Sequence, residues 1–126
     1  MEDVNEVFPG FWHPSDQGFT QLPHELIEQL HKIDSLAELK IILYIMRHTW
    51  GFQEFDKPKK ITVDEFMSGR KRKDGTRLDN GTGLSSWGAQ EGISKALAHG
   101  YIICEVDDSD KGRIKKSYGI NIYQEG

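Results

Sequence analysis

From Leu36 to Trp50 the chain reads LAELKIILYIMRHTW, and this stretch limits the fold more than any other. Leu39, Leu43, Met46 and Trp50 recur at helical spacing on one stripe, while Ile41, Ile42 and Ile45 make the segment apolar on most of its circumference. A helix of that kind is surrounded on most sides. The pattern therefore predicts one central helix, begun at a break and cap formed by Asp34 and Ser35 and stopped by Gly51. With 126 residues, the rest of the chain suffices for one domain around it. Lys40 interrupts the apolar run far short of the roughly 18 residues that a membrane span needs.

The flanking segments read as follows. Residues 1–21 form an irregular N-terminal arm punctuated by Pro9, Gly10, Pro14 and Gly18. Its Phe8, Phe11, Trp12 and Phe19 are too many aromatics for a free tail, so the arm is expected to pack on the domain or on a second copy of it. Pro23 favours a helix start, with Leu22, Leu26, Leu30 and Ile33 at helical spacing and Glu25 and Glu28 near its N-terminal end. KKITV after Pro58 reads as a short strand and VDEFMSG as a helix of about two turns. Residues 69–83, with four glycines, five bases and Leu78 as almost the only apolar residue, read as a long exposed loop. A further helix spans Leu84 to His99, capped by Ser85 or Ser86, with Ala89, Ile93, Ala96 and Leu97 inward and Gly100 ending it. Gly88 and Gly92 weaken that helix by roughly 1 kcal/mol each. YIICEV and SYGINIY read as two strands joined by the polar tip DDSDKGRIKK. Helix, helix, strand, helix, loop, helix and hairpin is the element order of an α+β, mainly helical, winged helix-turn-helix domain over residues 22–123, with a C-terminal β-hairpin wing.

The formal net charge of −4 conceals a segregated distribution. Residues 1–38 hold eight acids and one base, whereas residues 57–77 hold eight bases and three acids and residues 111–116 add four bases. An acidic chain of this kind can still present a basic face to a polyanion. Arg70, Lys71, Arg72, Lys73 and Arg77 precede the helix at 84–99, and Lys111, Arg113, Lys115 and Lys116 form the wing tip. Between them the outward face of the helix carries Ser85, Ser86, Trp87, Gln90, Glu91, Ser94 and Lys95. In a winged helix the N-terminal half of this helix enters the major groove of DNA. There Gln90 suits adenine, Glu91 suits cytosine N4, and the serines suit bases or phosphates. Trp87 either meets a base or packs against the arm or loop.

Two phrases carry a family resemblance. GFTQLPHELIEQL followed by LAELKIILYIMRHTWGF resembles the N-terminal domain of the phage replication protein O family, including the aromatic-Gly-aromatic step Trp50-Gly51-Phe52. GLSSWGAQEGISKALAHGYI resembles the general winged-helix pattern in which "GLS" opens the recognition helix. DnaD-like primosome proteins are the neighbouring resemblance. The family implies sequence-specific binding of replication-origin DNA and recruitment of the replicative helicase; a helicase loader and a second copy of the chain are further candidate partners. Ser86, Trp87 and Gly88 stand where family members carry Arg or Lys, and the loop at 69–83 is longer than the usual turn. A winged-helix transcription regulator and a primosome protein-interaction module are the alternatives.

Catalytic and metal chemistry find no pattern. His13, His24, His31, His48 and His99 form no HExxH or other close ligand pair. GLSSW has Trp87 where a nucleophile elbow needs glycine. DDSDKG has Lys111 and Tyr118 where a calcium loop needs acids. The expectation is no enzyme, no cofactor and no metal. Cys104, the sole cysteine, excludes an internal disulfide, and MEDVNEVF is acidic where a secretory signal is basic. Both point to a reducing cytoplasm.

Overall fold

The computed structural model describes residues 7–15, 18–110 and 112–123. Its helices are α1 (His24–Gln29), α2 (Leu36–Thr49), α3 (Val63–Ser68) and α4 (Ser86–Ala98). Its strands β1 (Lys59–Lys60), β2 (Ile102–Asp110) and β3 (Arg113–Ile120) form an antiparallel sheet in the order β1-β3-β2. This is an α+β domain. None of its helices is long and apolar enough to cross a membrane among the described residues.

Local chemistry starts each longer helix. Ser35 Oγ accepts from the Glu38 amide at 3.2 Å to cap α2, and Ser85 Oγ accepts from the Gly88 amide at 3.0 Å to cap α4. Thr62 and Glu65 form a reciprocal capping box on α3. The core joins Ile41, Ile42, Ile45 and Met46 of α2 to Phe66 of α3, Ala89, Ile93 and Ala96 of α4, and Ile102 and Tyr118 of the sheet. Phe66 sits between Tyr44 and Tyr118, with ring centroids 5.5 and 5.4 Å away. At the crossing of α2 and α4, a Cβ on Gly92 would lie 2.7 Å from the Ala37 carbonyl oxygen and 2.8 Å from an Ile41 methylene. The glycine that weakens the helix is what lets the two helices touch.

The central helix has the expected span but a different inner face. Leu43 is exposed, and burial centres on Ile41, Ile42, Ile45 and Met46 together with Glu38, His48 and Thr49. A helix apolar almost all round has no strong intrinsic direction, so its packing partners choose one. The first helix is also shorter than its leucine spacing suggests: a 3₁₀ turn at Leu30–Lys32 follows it, and only Leu26 is buried. Pro23 is its N-cap rather than its first residue. Gly51 does not stop α2. A 3₁₀ turn at Trp50–Phe52 continues it, and Gln53, at φ 60°, makes the left-handed reversal. Gly51 instead lies under Thr20, whose Oγ1 would be 2.9 Å from a Cβ there. In α4, Leu97 points outward rather than into the core.

The hairpin is longer than its apolar content suggests. Pairing runs from Ile102↔Ile120 to Asp110↔Arg113, with a bulge between Asp107 and Asp110. Asp107↔Lys115 and Asp110↔Arg113 set opposite charges across the ladder, which favours continued pairing where apolar alternation has ended. Asp107 Oδ1 accepts from both the amide and the hydroxyl of Ser109, at 3.0 and 2.7 Å, across the bulge. The hairpin is thus divided by strand: Glu105, Asp107, Asp108 and Asp110 on β2, and Arg113, Lys115 and Lys116 on β3.

Candidate functional site

α4 exposes the N-terminal half of its outer face, and most of the polar side chains there already have partners. Ser85 is the cap, Gln90 Nε2 donates to Ser86 Oγ at 3.0 Å, and Lys95 approaches Glu91 at 3.6 Å in the favourable i,i+4 order. Ser94 is exposed, and Trp87 is 73% exposed.

Between α4 and the sheet runs a cleft of about 540 Å³. Gln90, Ser94 and Leu97 line its helix side, and Lys60, Ile114, Lys115 and Lys116 its sheet side. Strand alternation puts Lys116 and Ile114 on the face that bears the core residue Tyr118, toward α4, and puts Lys115 and Ser117 on the other. Arg113, at the outer end of β3, is exposed; Lys111 lies outside the described residues. Lys60, read from the sequence only as part of a strand, is set beside β3 by the pairing Lys60↔Ser117 and by the Ile61 amide, which donates to the Lys116 carbonyl at 3.4 Å; that register turns its side chain, like those of Lys115 and Ser117, to the face opposite Tyr118. Its signal was the lysine pair before ITV; what the sequence lacked was the pairing that sets it beside β3.

The segment at 69–83 is ordered by its own side chains rather than being a fully exposed loop. Arg70 donates to the Lys60 carbonyl at 3.1 Å and approaches Glu65 at 3.5 Å. Arg72 donates to the Arg77 carbonyl at 2.9 Å, and Arg77 donates to the Ser68 carbonyl. Lys71 and Arg77 form a bridge that closes the Asp74–Gly75 turn. The three arginines therefore shape the segment as well as charging it, whereas Lys71 and Lys73 extend from its exposed tip.

Its anchor is Asp79. Asp79 Oδ1 accepts from Tyr44 Oη at 3.0 Å and from the Gly81 amide at 2.8 Å, and Oδ2 lies 2.8 Å from His48 Nε2. Burial disfavours the Asp79 carboxylate, but the donors from Gly81, Tyr44 and His48 outweigh it and hold the pKa below the ordinary aspartate value. Burial acts on His48 in the opposite sense to Asp79 and wins, so the imidazole titrates below its ordinary value and is neutral at pH 7. Burial, assisted by Asp79, raises the Tyr44 phenol. Nothing in the spacing of Tyr44, His48 and Asp79 marks them as a cluster; the 35-residue gap from Tyr44 to Asp79 closes only in the fold.

A pH dependence follows. His48 takes up a proton more readily in the unfolded chain, near the ordinary histidine value of about 6.5, than in the native protein. Its contribution to stability is complete above that value and declines as pH falls below it. Urea denaturation at pH 7.5, 6.5 and 5.5 should show this decline, and His48→Gln should flatten it. An equal slope in the variant would assign the effect to other groups.

The exposed face of α4 and the inner face of β3 thus border one cleft, whereas Asp79, Gly81 and Thr82 line a separate hollow with Lys40, Leu43, Tyr44 and Arg47 of α2. Compared with known protein families, curated proteins and solved structures, the chain matches none.

Proposed function

We propose that this chain is a duplex DNA-binding domain of winged helix-turn-helix type, serving a replication initiator of the protein O kind. In this reading α4 is the recognition helix and β2–β3 the wing, and the protein binds rather than catalyses. The supporting observation is the cleft between α4 and the sheet, where Gln90 and Ser94 face Lys116 across a groove open to solvent. The groove offers hydrogen-bonding groups on one wall and phosphate-binding charge on the other.

The test separates charge from base reading. Lys71, Lys73 and Lys116 have no side-chain hydrogen bond or ion pair among the described residues, so neutralising them to Gln leaves the fold intact. Fluorescence anisotropy with duplex DNA should show weaker binding to all sequences and a shallower salt dependence, by about three charges of slope. Gln90→Ala should instead reduce preference for a site selected from random DNA, by roughly 1–3 kcal/mol, and leave non-specific binding nearly unchanged. Because Gln90 already donates to Ser86, base reading requires it to exchange that bond for one to the base. No duplex binding at about 50 mM salt, where phosphate contacts are strongest, would overturn the proposal.

A further inference from the structure

On a different face, α1, α2 and the end of β3 enclose a second cleft, of about 370 Å³. Its lining is largely apolar: Leu26, Ile42, Met46, Trp50, Tyr101 and Ile120. Trp50, partly buried, forms part of its wall.

The same chain carries aromatic surface that its own domain does not cover. Residues 18–21 cross the turn at Trp50–Gln53, where Phe19 and Gln21 line a small cavity with Gly51. Beyond that crossing Phe8, Phe11 and Trp12 remain 64, 93 and 72% exposed, and the Phe8 and Phe11 rings pack on each other with centroids 4.8 Å apart. Clustered exposed aromatics of this kind mark a contact surface.

We infer that the aromatic arm of one copy occupies the Leu26–Met46–Trp50 cleft of a second copy, so that two chains exchange arms about a twofold axis. The arm joins the domain at Pro23, which is itself on the cleft rim, so each copy offers arm and cleft side by side, as a self-complementary interface requires. The area suffices: three aromatics per arm at about 150–250 Å² each give two arms roughly 900–1,500 Å², before the covered cleft walls are added, against about 1,200–2,000 Å² for a stable interface. The inference does not depend on DNA binding.

Sedimentation equilibrium of the full chain should show a dimer at micromolar concentration, within the range such interfaces span. Replacing Phe8, Phe11 and Trp12 together with Ser should raise the dissociation constant by about 100-fold or more, while circular dichroism remains that of the parent because these side chains are exposed. Disulfide trapping then identifies the partner, using chains in which Cys104→Ser removes the native thiol. Mixing a Trp12→Cys chain with a Glu25→Cys chain should cross-link the two. A monomer throughout, a dimer indifferent to the triple substitution, or a bond formed only when both cysteines lie in one chain would each overturn the inference.

Discussion

Gly92→Ala should destabilise the protein by about 2–4 kcal/mol, and Gly92→Val by more. The added Cβ meets backbone, not a flexible side-chain end: the Ala37 carbonyl oxygen at 2.7 Å and its carbon at 2.9 Å. Helices α2 and α4 must separate to admit it, and overpacking of that kind commonly costs 1–3 kcal/mol or more. The gain in helix propensity, about 1 kcal/mol, opposes this but does not match it when much of the core lies along the same contact. Gly88→Ala supplies the control, because a Cβ there meets Ser85 Oγ at 3.2 Å and Leu84 carbons at 3.7 Å, side-chain atoms that can shift. It should be neutral or mildly stabilising. Urea denaturation of the three variants measures the contrast, and equal stability of Gly92→Ala and the parent would disprove the close helix crossing.

The second large effect is expected at Asp79. Asp79→Ala should cost about 3–5 kcal/mol, because it removes the shared acceptor of the buried Tyr44 hydroxyl and His48 imidazole and frees the Gly81 amide. Asp79→Asn should cost less, since its amide oxygen can still serve Tyr44 and Gly81 while neutral His48 changes tautomer to accept from the amide nitrogen. Limited trypsinolysis gives an independent reading. The basic tip at Lys71, Arg72 and Lys73 should be cut at least about tenfold faster in the Ala variant, as expected when local opening becomes easier. The acid behaviour has a defined sign. The native carboxyl titrates below its unfolded value, so its contribution is complete above about pH 4 and falls as pH drops through the native pKa. That component is missing from Asp79→Asn.

How much of this was legible in the sequence depended on distance along the chain. The caps at Ser35 and Ser85 join groups three residues apart, and both were readable from residue type and position. So were the centres of α2 and α4, set by apolar periodicity. The polar interior was not readable. Glu38, fully buried, meets His99 Nδ1 at 2.7 Å across 61 residues. Asp79 followed by Asn80 and Gly81 has the composition of an ordinary turn, and its role exists only because α2 brings Tyr44 and His48 to it. The hairpin was truncated in the sequence reading because apolar alternation stops at Val106, whereas cross-strand charge pairing carries the ladder onward. At the candidate site, the α4 face and the basic runs were identifiable, but not the distinction between arginines bonded into the loop and lysines left free. That distinction is one of side-chain partners, which composition does not encode.

The separation of acids on β2 from bases on β3 has a mechanical consequence. Their opposed charges nearly cancel at long range, so the hairpin contributes little to the overall pull on a charged partner. At close range they form a transverse dipole. β3 is the middle strand and β2 the outer edge, so a polyanion meeting the hairpin off-axis is repelled from the rim and drawn inward toward Lys116. The hairpin then exerts a torque more than an attraction, turning an arriving partner until its charge lies along α4. Such a torque is screened beyond about one Debye length, near 8 Å in physiological salt, as the pull of a net charge is, and within that distance it falls off more steeply.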